Sequence, residues 1–364
     1  MIKPPIRLLV VDDSAYNRRN IADVFASHPG EVEVVGKAAD GEEALRLATL
    51  LKPDVITLDL EMPRMDGFTF LRILMSRQPT PVIVVSSYSQ KENVFKALEL
   101  GALDFVAKPT AQIAPDATDL REQILEKVML VRQLRTNYVP PPPISRRGVS
   151  GSFAPDGRPS HADSTVIRSA PAYIAPKHFV AIASSTGGPS ALLDIFARVP
   201  STSTVAILVA QHMPDKFTRT FAERLDRRGS VRTAEASDGD RVGKLTGFVC
   251  PGRQCMELVQ HGTEYRVNVG TPSAKDRYVP SADRLLKSVA NAVGARAVGV
   301  VLTGMGDDGV EGAKAIRAAG GLVIAEAQET AVVYGMPGAV VREGAADKVL
   351  PLPEIADFIA RLPG

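Results

Sequence analysis

A serine, a histidine and an aspartate stand at the ends of three apolar runs that are far apart in the chain. Ser184 and Ser185 follow the first run, His212 follows the second, and Asp307 and Asp308 come shortly after the third. Ligands bind at the carboxyl ends of the strands in an open α/β sheet, so one sheet edge can bring these side chains together. They would supply the nucleophile, the base and the orienting carboxylate of a serine hydrolase. The runs are Phe179–Ala183, Val205–Ala210 and Ala297–Leu302.

Ser185 is the preferred candidate nucleophile, and its neighbour Ser184 is the rival. Ser185 directly precedes Thr186-Gly187-Gly188, and glycines let backbone N–H groups approach a ligand closely. Pro189 suits the first turn of a helix, so Ser185 would lie near a helix N-terminus, where an oxyanion is favoured. The G-x-S-x-G motif of α/β-hydrolases is absent, and the chain order Ser, His, Asp differs from theirs. A hydrolase of another scaffold is therefore predicted.

Two adjacent residues are candidates for the carboxylate that orients the histidine. Asp307 and Asp308 both follow the glycine turn Thr303–Gly306, and either can orient the His212 imidazole. The backbone N–H of Met305 in this turn can donate to an oxyanion. No lysine follows the turn as in a Walker motif, which argues against a nucleotide site.

A second constellation lies in the N-terminal part of the chain. Asp12 and Asp13 follow one strand-like run, and Asp59 ends another. Ser86 ends the next run, and Lys108 follows the last one. Carboxylates gathered at one sheet edge repel one another and need a cation, and Mg²⁺ prefers oxygen ligands of this kind. One carboxylate can then attack phosphorus and become an aspartyl phosphate, while lysine and serine hold the phosphoryl oxygens.

The pattern around these residues predicts two α/β domains and a linker. In residues 1–135, β-branched runs alternate with helical spacing, which predicts a parallel, doubly wound sheet. Residues 136–176 contain the run Pro140–Pro143 without apolar periodicity and are expected to form the linker. The alternation returns in residues 177–364, which we predict to be mainly parallel with an antiparallel hairpin-like insertion. The runs of that insertion are Thr246–Val249, Met256–Val259 and Tyr265–Val269.

The composition narrows the functional classes. The chain of 364 residues has 45% hydrophobic and 23% charged residues, a globular balance, and its formal net charge is only +2. With no helix-turn-helix pattern, nucleic acid is not an expected partner. No apolar stretch approaches the ~20 residues of a membrane span, and no signal peptide is recognised. Only 2 cysteines occur, Cys250 and Cys255, which we interpret as structural thiols in a cytoplasmic protein.

The N-terminal region resembles the response-regulator receiver domain. The resemblance rests on Val11–Ser14, Asp59–Gly67, Val85-Ser86 and Lys108-Pro109, and it spans residues 6 to about 130. It implies a flavodoxin-like fold in which Asp59 accepts phosphate from a chemotaxis histidine kinase. Mg²⁺ would be held by Asp12, Asp13, Asp59 and the backbone carbonyl of Glu61. Ser86 and Lys108 would be switch residues, and Phe105 is either the switch aromatic or a plain core residue.

The C-terminal region resembles the catalytic domain of the chemotaxis protein-glutamate methylesterases, the CheB family. The resemblance implies a Rossmann-like α/β domain with Ser185 as nucleophile, His212 as base and Asp308 as third member. It also places Thr186 and Met305 at the oxyanion hole, with no cofactor for the esterase reaction. The matching stretches are Ala183–Pro189, Gln211–Pro214, Phe217–Leu225, Pro280–Asp283, Leu302–Gly309 and Gly335–Pro337.

The combined resemblance implies a phosphorylation-activated hydrolase for chemotactic adaptation. It would demethylate glutamate γ-methyl esters on methyl-accepting chemoreceptors, release methanol, and deamidate glutamines. The unphosphorylated receiver would cover the active site until Asp59 is phosphorylated. Two alternatives stay open: the same fold acting on a receptor-like protein of another pathway, and a regulator whose second domain only binds partners.

Overall fold

The computed structural model of the chain describes residues 4–26, 28, 30–87, 91–108, 117–134 and 173–363. Most of the expected linker, with Arg146, Arg147, Arg158 and Arg168, lies outside these residues, as does Pro109. The first domain alternates strands and helices along the chain. Its strands are β1 (Ile6–Val11), β2 (Val32–Ala38), β3 (Val55–Leu58), β4 (Val82–Ser87) and β5 (Asp104–Lys108). Its helices are α1 (Ala15–Ala26), α2 (Gly41–Leu51), α3 (Gly67–Arg77), α4 (Lys91–Glu99) and α5 (Ala117–Met129).

Side-chain caps fix the start of two of these helices. The Asp40 carboxylate accepts hydrogen bonds from the backbone N–H groups of Glu42 and Glu43 at the start of α2. Asp66 does the same for the N–H of Thr69 at the start of α3. Such caps satisfy donors that have no partner within the helix. The cap at Asp66 therefore fixes the far end of the loop that begins at Asp59.

The first sheet is parallel with the strand order β2-β1-β3-β4-β5, the flavodoxin-like order. Strands β1 and β3 are neighbours although the chain leaves β1 towards β2. Ligands bind at such a reversal of strand order, at the carboxyl ends of the strands. Asp12 directly follows β1 and Asp59 directly follows β3, so the topology places them at this point.

The second domain continues the alternation. Its strands are β6 (His178–Ser184), β7 (Val205–Gln211), β8 (Arg232–Glu235), β9 (Thr246–Val249), β10 (Cys255–His261), β11 (Glu264–Gly270), β12 (Ala297–Val301), β13 (Leu322–Glu326) and β14 (Lys348–Leu350). Its helices are α6 (Gly188–Arg198), α7 (Asp215–Asp226), α8 (Ala282–Val293), α9 (Val310–Ala318), α10 (Met336–Arg342) and α11 (Leu352–Ala360).

The larger sheet of this domain is parallel, with the order β14-β13-β12-β6-β7-β9-β8. The chain runs outward from β6 in one direction and returns to β12 on the other side of β6. The reversal of strand order therefore lies between β6 and β12. Ser185 follows β6, and Thr303–Asp308 follow β12, so the predicted hydrolase residues meet at the expected binding edge.

The antiparallel hairpin is present but is shorter than the three runs expected from the sequence. Strands β10 and β11 form a separate antiparallel pair, with Met256 opposite Val269. The third run, β9, is not part of it and instead pairs parallel with β7 and β8 in the large sheet. In that sheet, Phe248 and Val249 of β9 are both buried. A short apolar run cannot reveal which partner it pairs with.

The two domains touch through side chains of both polarities. Phe95 of α4 stacks on Phe221 of α7, with ring centroids 5.6 Å apart. Phe105 of β5 lies 4.6 Å from the ring of Phe217. Arg224 of α7 pairs with two glutamates of α4, Glu92 and Glu99. The α4–β5 face of the first domain is thus in contact with α7.

Across the described part of the chain, every helix is too short or too polar to traverse a lipid bilayer.

Candidate functional sites

Ser185 lies in the turn between β6 and α6. The backbone N–H of Ser185 donates to the carbonyl of Thr303 at 3.0 Å, which joins this turn to the loop after β12. The two loops approach so closely that a Cβ on Gly304 would lie 2.8 Å from Cβ of Ser185 and 2.4 Å from the sulfur of Met336. Gly187 adopts φ +81°, a left-handed conformation that favours glycine. Both glycines are thus needed for the turn geometry.

The environments of the two serines differ sharply. Ser184 is 0% exposed, and its hydroxyl donates to Oε1 of Gln211 at 2.7 Å. The amide nitrogen of Gln211 donates to the carbonyls of Ser185 and His212, at 2.9 Å each. Ser184 therefore belongs to a buried network that supports the loops. Ser185 is half-buried, and it takes part in that network through its backbone carbonyl and not through its hydroxyl.

His212 is paired with Asp308, and not with Asp307. Nε2 of His212 lies 2.8 Å from Oδ2 of Asp308. The Asp308 carboxylate also accepts the backbone N–H groups of Ala282 and Asp283, at 2.8 and 2.9 Å, in the first turn of α8. A helix N-terminus stabilises such a carboxylate. Because Nε2 faces Asp308, Nδ1 is the imidazole nitrogen left to take a proton. No hydrogen bond joins His212 to the Ser185 hydroxyl among the described residues.

Asp307, the alternative carboxylate, holds a different pair of side chains. It accepts a hydrogen bond from the Tyr278 hydroxyl at 2.9 Å and pairs with Arg277 at 3.1 Å. The ring of Tyr278 in turn stacks on the His212 imidazole, with centroids 5.4 Å apart and planes inclined by 10°. Asp308 therefore contacts the His212 imidazole directly, whereas Asp307 contacts the tyrosine that stacks on it.

Thr303 connects the two loops that carry the predicted oxyanion residues. Its hydroxyl donates to the carbonyl of Thr186 at 2.9 Å and accepts the N–H of Val333 at 2.9 Å. Met305 lies two residues further on and packs in a cluster with Val332 and Val333. One buried threonine therefore holds the backbone of Thr186, and it stands two residues before Met305 in the loop after β12.

Glu326, the last residue of β13, contacts the backbone of Thr303. Its Oε2 accepts the backbone N–H of Thr303 at 2.8 Å. The side chain is fully buried, and Oε1 has no hydrogen-bond partner among the described residues. Burial raises the pKa of Glu326 to about 7, although the bond from Thr303 opposes this shift. The carboxyl group that binds the backbone of Thr303, in the loop after β12, thus has a pKa near neutrality.

The acidic residues of the first domain also come together. One carboxylate oxygen from each of Asp12, Asp13 and Asp59 lies within 4.8 Å of the others. Nζ of Lys108 is 2.8 Å from Asp12 and 2.5 Å from Asp59. Burial raises the pKa of Asp59, and the charge of Lys108 opposes that shift. This set of hard oxygen donors fits Mg²⁺.

The remaining predicted residues of this domain occupy distinct places. Glu61 follows the site, and its backbone N–H donates to Asp59 at 3.4 Å. Ser86 is buried near the end of β4, one strand from Asp59. Phe105 is buried and faces the second domain, as described above, so it is a core residue of the interface in this structure.

Three residues near Ser185, His212 and the loop after β12 were not singled out from the sequence. Tyr278 stands in an irregular segment that carries no local signal of its position. Glu326 is a polar residue at the end of an apolar strand, and that placement is a signal that the sequence does offer. Asp104 precedes Phe105 in β5, and its Oδ2 accepts the hydroxyl of Thr186 in the other domain. Contacts between domains leave no trace in local periodicity.

Family models match both domains. The model described as CheB methylesterase matches residues 180–359, and the model described as response regulator receiver domain matches residues 8–115. Three curated relatives extend over nearly the whole chain. A "Protein-glutamate methylesterase/protein-glutamine glutaminase 1" of Myxococcus xanthus is 45% identical, over 99% of this chain and 98% of its own.

A homologue named "Protein-glutamate methylesterase/protein-glutamine glutaminase 3" in Geobacter sulfurreducens is 47% identical, with 95% of this chain and 94% of its own covered. A Pyrococcus abyssi protein named "Protein-glutamate methylesterase/protein-glutamine glutaminase" is 39% identical, over 98% of this chain and 93% of its own. The similarity therefore includes the order of the two domains as well as each domain separately.

Proposed function

From the premise that this chain belongs to the CheB family of protein-glutamate methylesterases with a response-regulator receiver domain, we propose that Ser185, His212 and Asp308 form its catalytic triad. The protein is a methylesterase and glutaminase. Its proposed substrates are γ-methyl esters of glutamate, and glutamines, on the cytoplasmic helices of methyl-accepting chemoreceptors. The protein would therefore act in the cytoplasm.

The pairing of His212 with Asp308 is the observation that carries this assignment. The 2.8 Å contact uses Nε2, so Nδ1 is the atom that takes the Ser185 proton. The alkoxide then attacks the ester carbonyl, and the negative charge on the carbonyl oxygen is stabilised by backbone N–H groups at Thr186 and Met305. The imidazolium returns the proton to the departing methoxide, which leaves as methanol.

The second half of the reaction regenerates the enzyme. His212 takes a proton from water, and the resulting hydroxide attacks the glutamyl ester of Ser185. The bond to the Ser185 oxygen breaks, the imidazolium returns the proton to that oxygen, and a glutamate side chain is released. A glutamine follows the same steps with ammonia as the leaving group.

Ser185 is preferred to Ser184 on the grounds of access. The hydroxyl of Ser184 is fully buried and committed to Gln211, whereas Ser185 is half-buried at the sheet edge. A serine-reactive fluorophosphonate tests this choice. We expect mass spectrometry to locate the adduct on Ser185 and to find no adduct in the Ser185→Ala variant. An adduct on Ser184 in the wild-type protein would overturn the assignment.

The receiver site is proposed to control this activity. Asp59 would accept phosphate from a chemotaxis histidine kinase, with Asp12, Asp13, Asp59 and the carbonyl of Glu61 holding Mg²⁺. The ion neutralises carboxylate charge and supports phosphoryl transfer. Lys108 lies within hydrogen-bond distance of Asp59 and would hold a phosphoryl oxygen together with Ser86.

Contacts at the domain interface give the control a physical route. Thr186, a proposed oxyanion residue, donates to Asp104 of β5. Met305, the second proposed oxyanion residue, packs in a cluster with Leu103 and Leu130 of the receiver domain. A receiver in this position occupies the space beside the oxyanion loops. Phosphorylation of Asp59 would bias this two-state interface towards opening, with Phe105 as the aromatic residue that couples β5 to α7.

The intact His212–Asp308 pair argues against the alternative of a regulator whose second domain only binds partners. The alternative of another receptor-like substrate is tested by measuring methanol release from membranes that carry a different methylated protein. Methanol release from methylated chemoreceptors would support the chemotaxis assignment. Release restricted to another methylated protein would contradict it.

A further inference from the structure

We propose that Tyr278 is a positioning residue for the catalytic base, and that Asp307 and Arg277 hold Tyr278 in place. The inference deepens the proposed function, because it assumes that His212 is the base. It concerns the stacking contact between the imidazole ring and Tyr278, which the triad does not use. It also gives a role to Asp307, which the triad leaves aside.

A single hydrogen bond does not fix the plane of an imidazole. The bond to Asp308 holds one atom, Nε2, and the ring can still tilt about that contact. The face of Tyr278 lies nearly parallel to the His212 ring, at 10° and 5.4 Å between centroids. An offset stack of this kind favours one ring orientation. Together, the two contacts direct Nδ1, and a displacement of about 1 Å at a reacting atom can cost ~100-fold in rate.

Tyr278 is itself held at two points. Its hydroxyl donates to Oδ1 of Asp307 at 2.9 Å, and the Arg277 guanidinium lies 5.2 Å from the centre of its ring. Nη1 of Arg277 contacts both oxygens of Asp307, at 3.2 and 3.1 Å. Arg277, Asp307 and Tyr278 therefore each contact the other two.

The backbone of the β12 loop is shaped around this arrangement. A Cβ on Gly306 would come within 2.5 Å of the Tyr278 hydroxyl oxygen, and Gly306 adopts φ +88°. Any other residue there would have to displace Tyr278 and would be strained as well. The absence of a side chain at position 306 lets Asp307 reach Tyr278 while Asp308 reaches His212.

The stack also matches the charge that the reaction creates. When Nδ1 takes the Ser185 proton, the ring becomes an imidazolium cation over the π face of Tyr278. A cation above an aromatic face is stabilised electrostatically. The Arg277 charge on the same aromatic ring is balanced by Asp307, so it competes less with the developing imidazolium.

Methanol release by the full-length protein, activated with a phosphodonor and Mg²⁺, tests the proposal. We expect Tyr278→Leu, which removes the ring, to lower kcat by ~30-fold with less than ~3-fold change in KM. Tyr278→Phe keeps the ring and should recover kcat to within ~5-fold of wild type. Asp307→Asn, which removes the charge that pairs with Arg277, should have an intermediate effect. Lys275→Ala, an exposed change on the same segment, is the matched control and should retain wild-type kcat.

A spectroscopic signature separates positioning from a general loss of structure. The ring current of Tyr278 should shift the His212 ring-proton resonances upfield in wild type and in Tyr278→Phe, and the shift should vanish in Tyr278→Leu. Equal kcat values for Leu and Phe at position 278, or an unchanged His212 resonance in the leucine variant, would overturn the inference. If Ser185→Ala retains methanol release, the proposed function fails instead, whatever the Tyr278 variants do.

Discussion

The hydroxyl of Thr186 donates a hydrogen bond to the carboxylate of Asp104, and this bond joins the proposed esterase site to the receiver domain. Asp104 begins β5, the strand that ends at Lys108 beside Asp59. One strand thus carries a contact to the proposed oxyanion loop at one end and a lysine of the proposed phosphorylation site at the other. A shift of β5 on phosphorylation would be felt at Thr186 directly.

Breaking the Asp104 contact should raise the activity of the unphosphorylated protein. A hydrogen bond to a charged group contributes about 1.5–3 kcal/mol. We therefore expect Asp104→Ala to increase methanol release without a phosphodonor by ~10-fold. Asp104 also pairs with Lys127, so Lys127→Met is the control that removes the ion pair but keeps the bond to Thr186. Equal activation by both variants would assign the effect to receiver stability, not to the Thr186 contact.

The ion pairs of Arg224 should contribute to the same closed state. Arg224 contacts Glu99 and Glu92 of α4 across the interface, and its side chain is only 15% exposed. Arg224→Glu would place like charges together, so basal methanol release should rise several-fold. The swap Arg224→Glu with Glu99→Arg should return it towards wild type. Failure of the swap to reduce the activity of the single variant would argue against a direct pair.

Replacement of Glu326 should change how stability depends on pH. Burial raises its folded pKa from 4.5 to about 7, so the folded protein binds more protons than the unfolded chain between these values. Stability contributed by this group therefore falls as pH rises from about 4.5 through about 7. Glu326→Gln should be more stable than wild type by up to ~3 kcal/mol at pH 8, and by little at pH 4.5.

Urea unfolding of both proteins at the two pH values measures this difference. The exposed change Glu354→Gln is the control, since it alters the same charge without burial. A pH-independent difference between Glu326→Gln and wild type would mean that the pKa of Glu326 is the same in the folded protein and in the unfolded chain, and would contradict the raised value.

The two adjacent serines should respond in opposite ways to substitution. Ser184→Ala leaves Oε1 of Gln211 without its donor, so the free energy of unfolding should fall by about 1–2 kcal/mol while kcat falls less than ~10-fold. Ser185→Ala should leave stability nearly unchanged and lower kcat by ~10⁴-fold or more. Thermal melts and methanol release on the same samples would show the contrast. Loss of kcat with Ser184→Ala alone would reverse the assignment.

Much of this architecture follows from where polar residues end apolar runs. Asp59 and Lys108 are identified from sequence because each ends or follows a buried strand, and parallel strands end at one edge. The family membership and the two α/β domains are confirmed. The roles of the individual site residues stay predictions, although the structure brings Ser185, His212 and Asp308 to one edge.

Other features depend on tertiary pairing that local patterns do not encode. The run Thr246–Val249 joins the parallel sheet beside β7, where Gly247 pairs with Ile207, 40 positions earlier in the chain and outside any local window. The choice of Asp308 over Asp307 depends on the N–H groups of α8, which begins at Ala282. The hydrogen bond from Thr186 to Asp104 joins residues of different domains. Each of these is decided by packing between distant segments.

The most direct test of the central claim is methanol release from methylated chemoreceptor membranes, with and without a small-molecule phosphodonor and Mg²⁺. Wild type, Asp59→Asn and Ser185→Ala would be measured side by side. We predict that the phosphodonor raises release by the wild type, leaves Asp59→Asn at its basal rate, and produces no release with Ser185→Ala. Release that persists in Ser185→Ala, or that the phosphodonor raises equally in Asp59→Asn, would contradict a serine esterase controlled through Asp59.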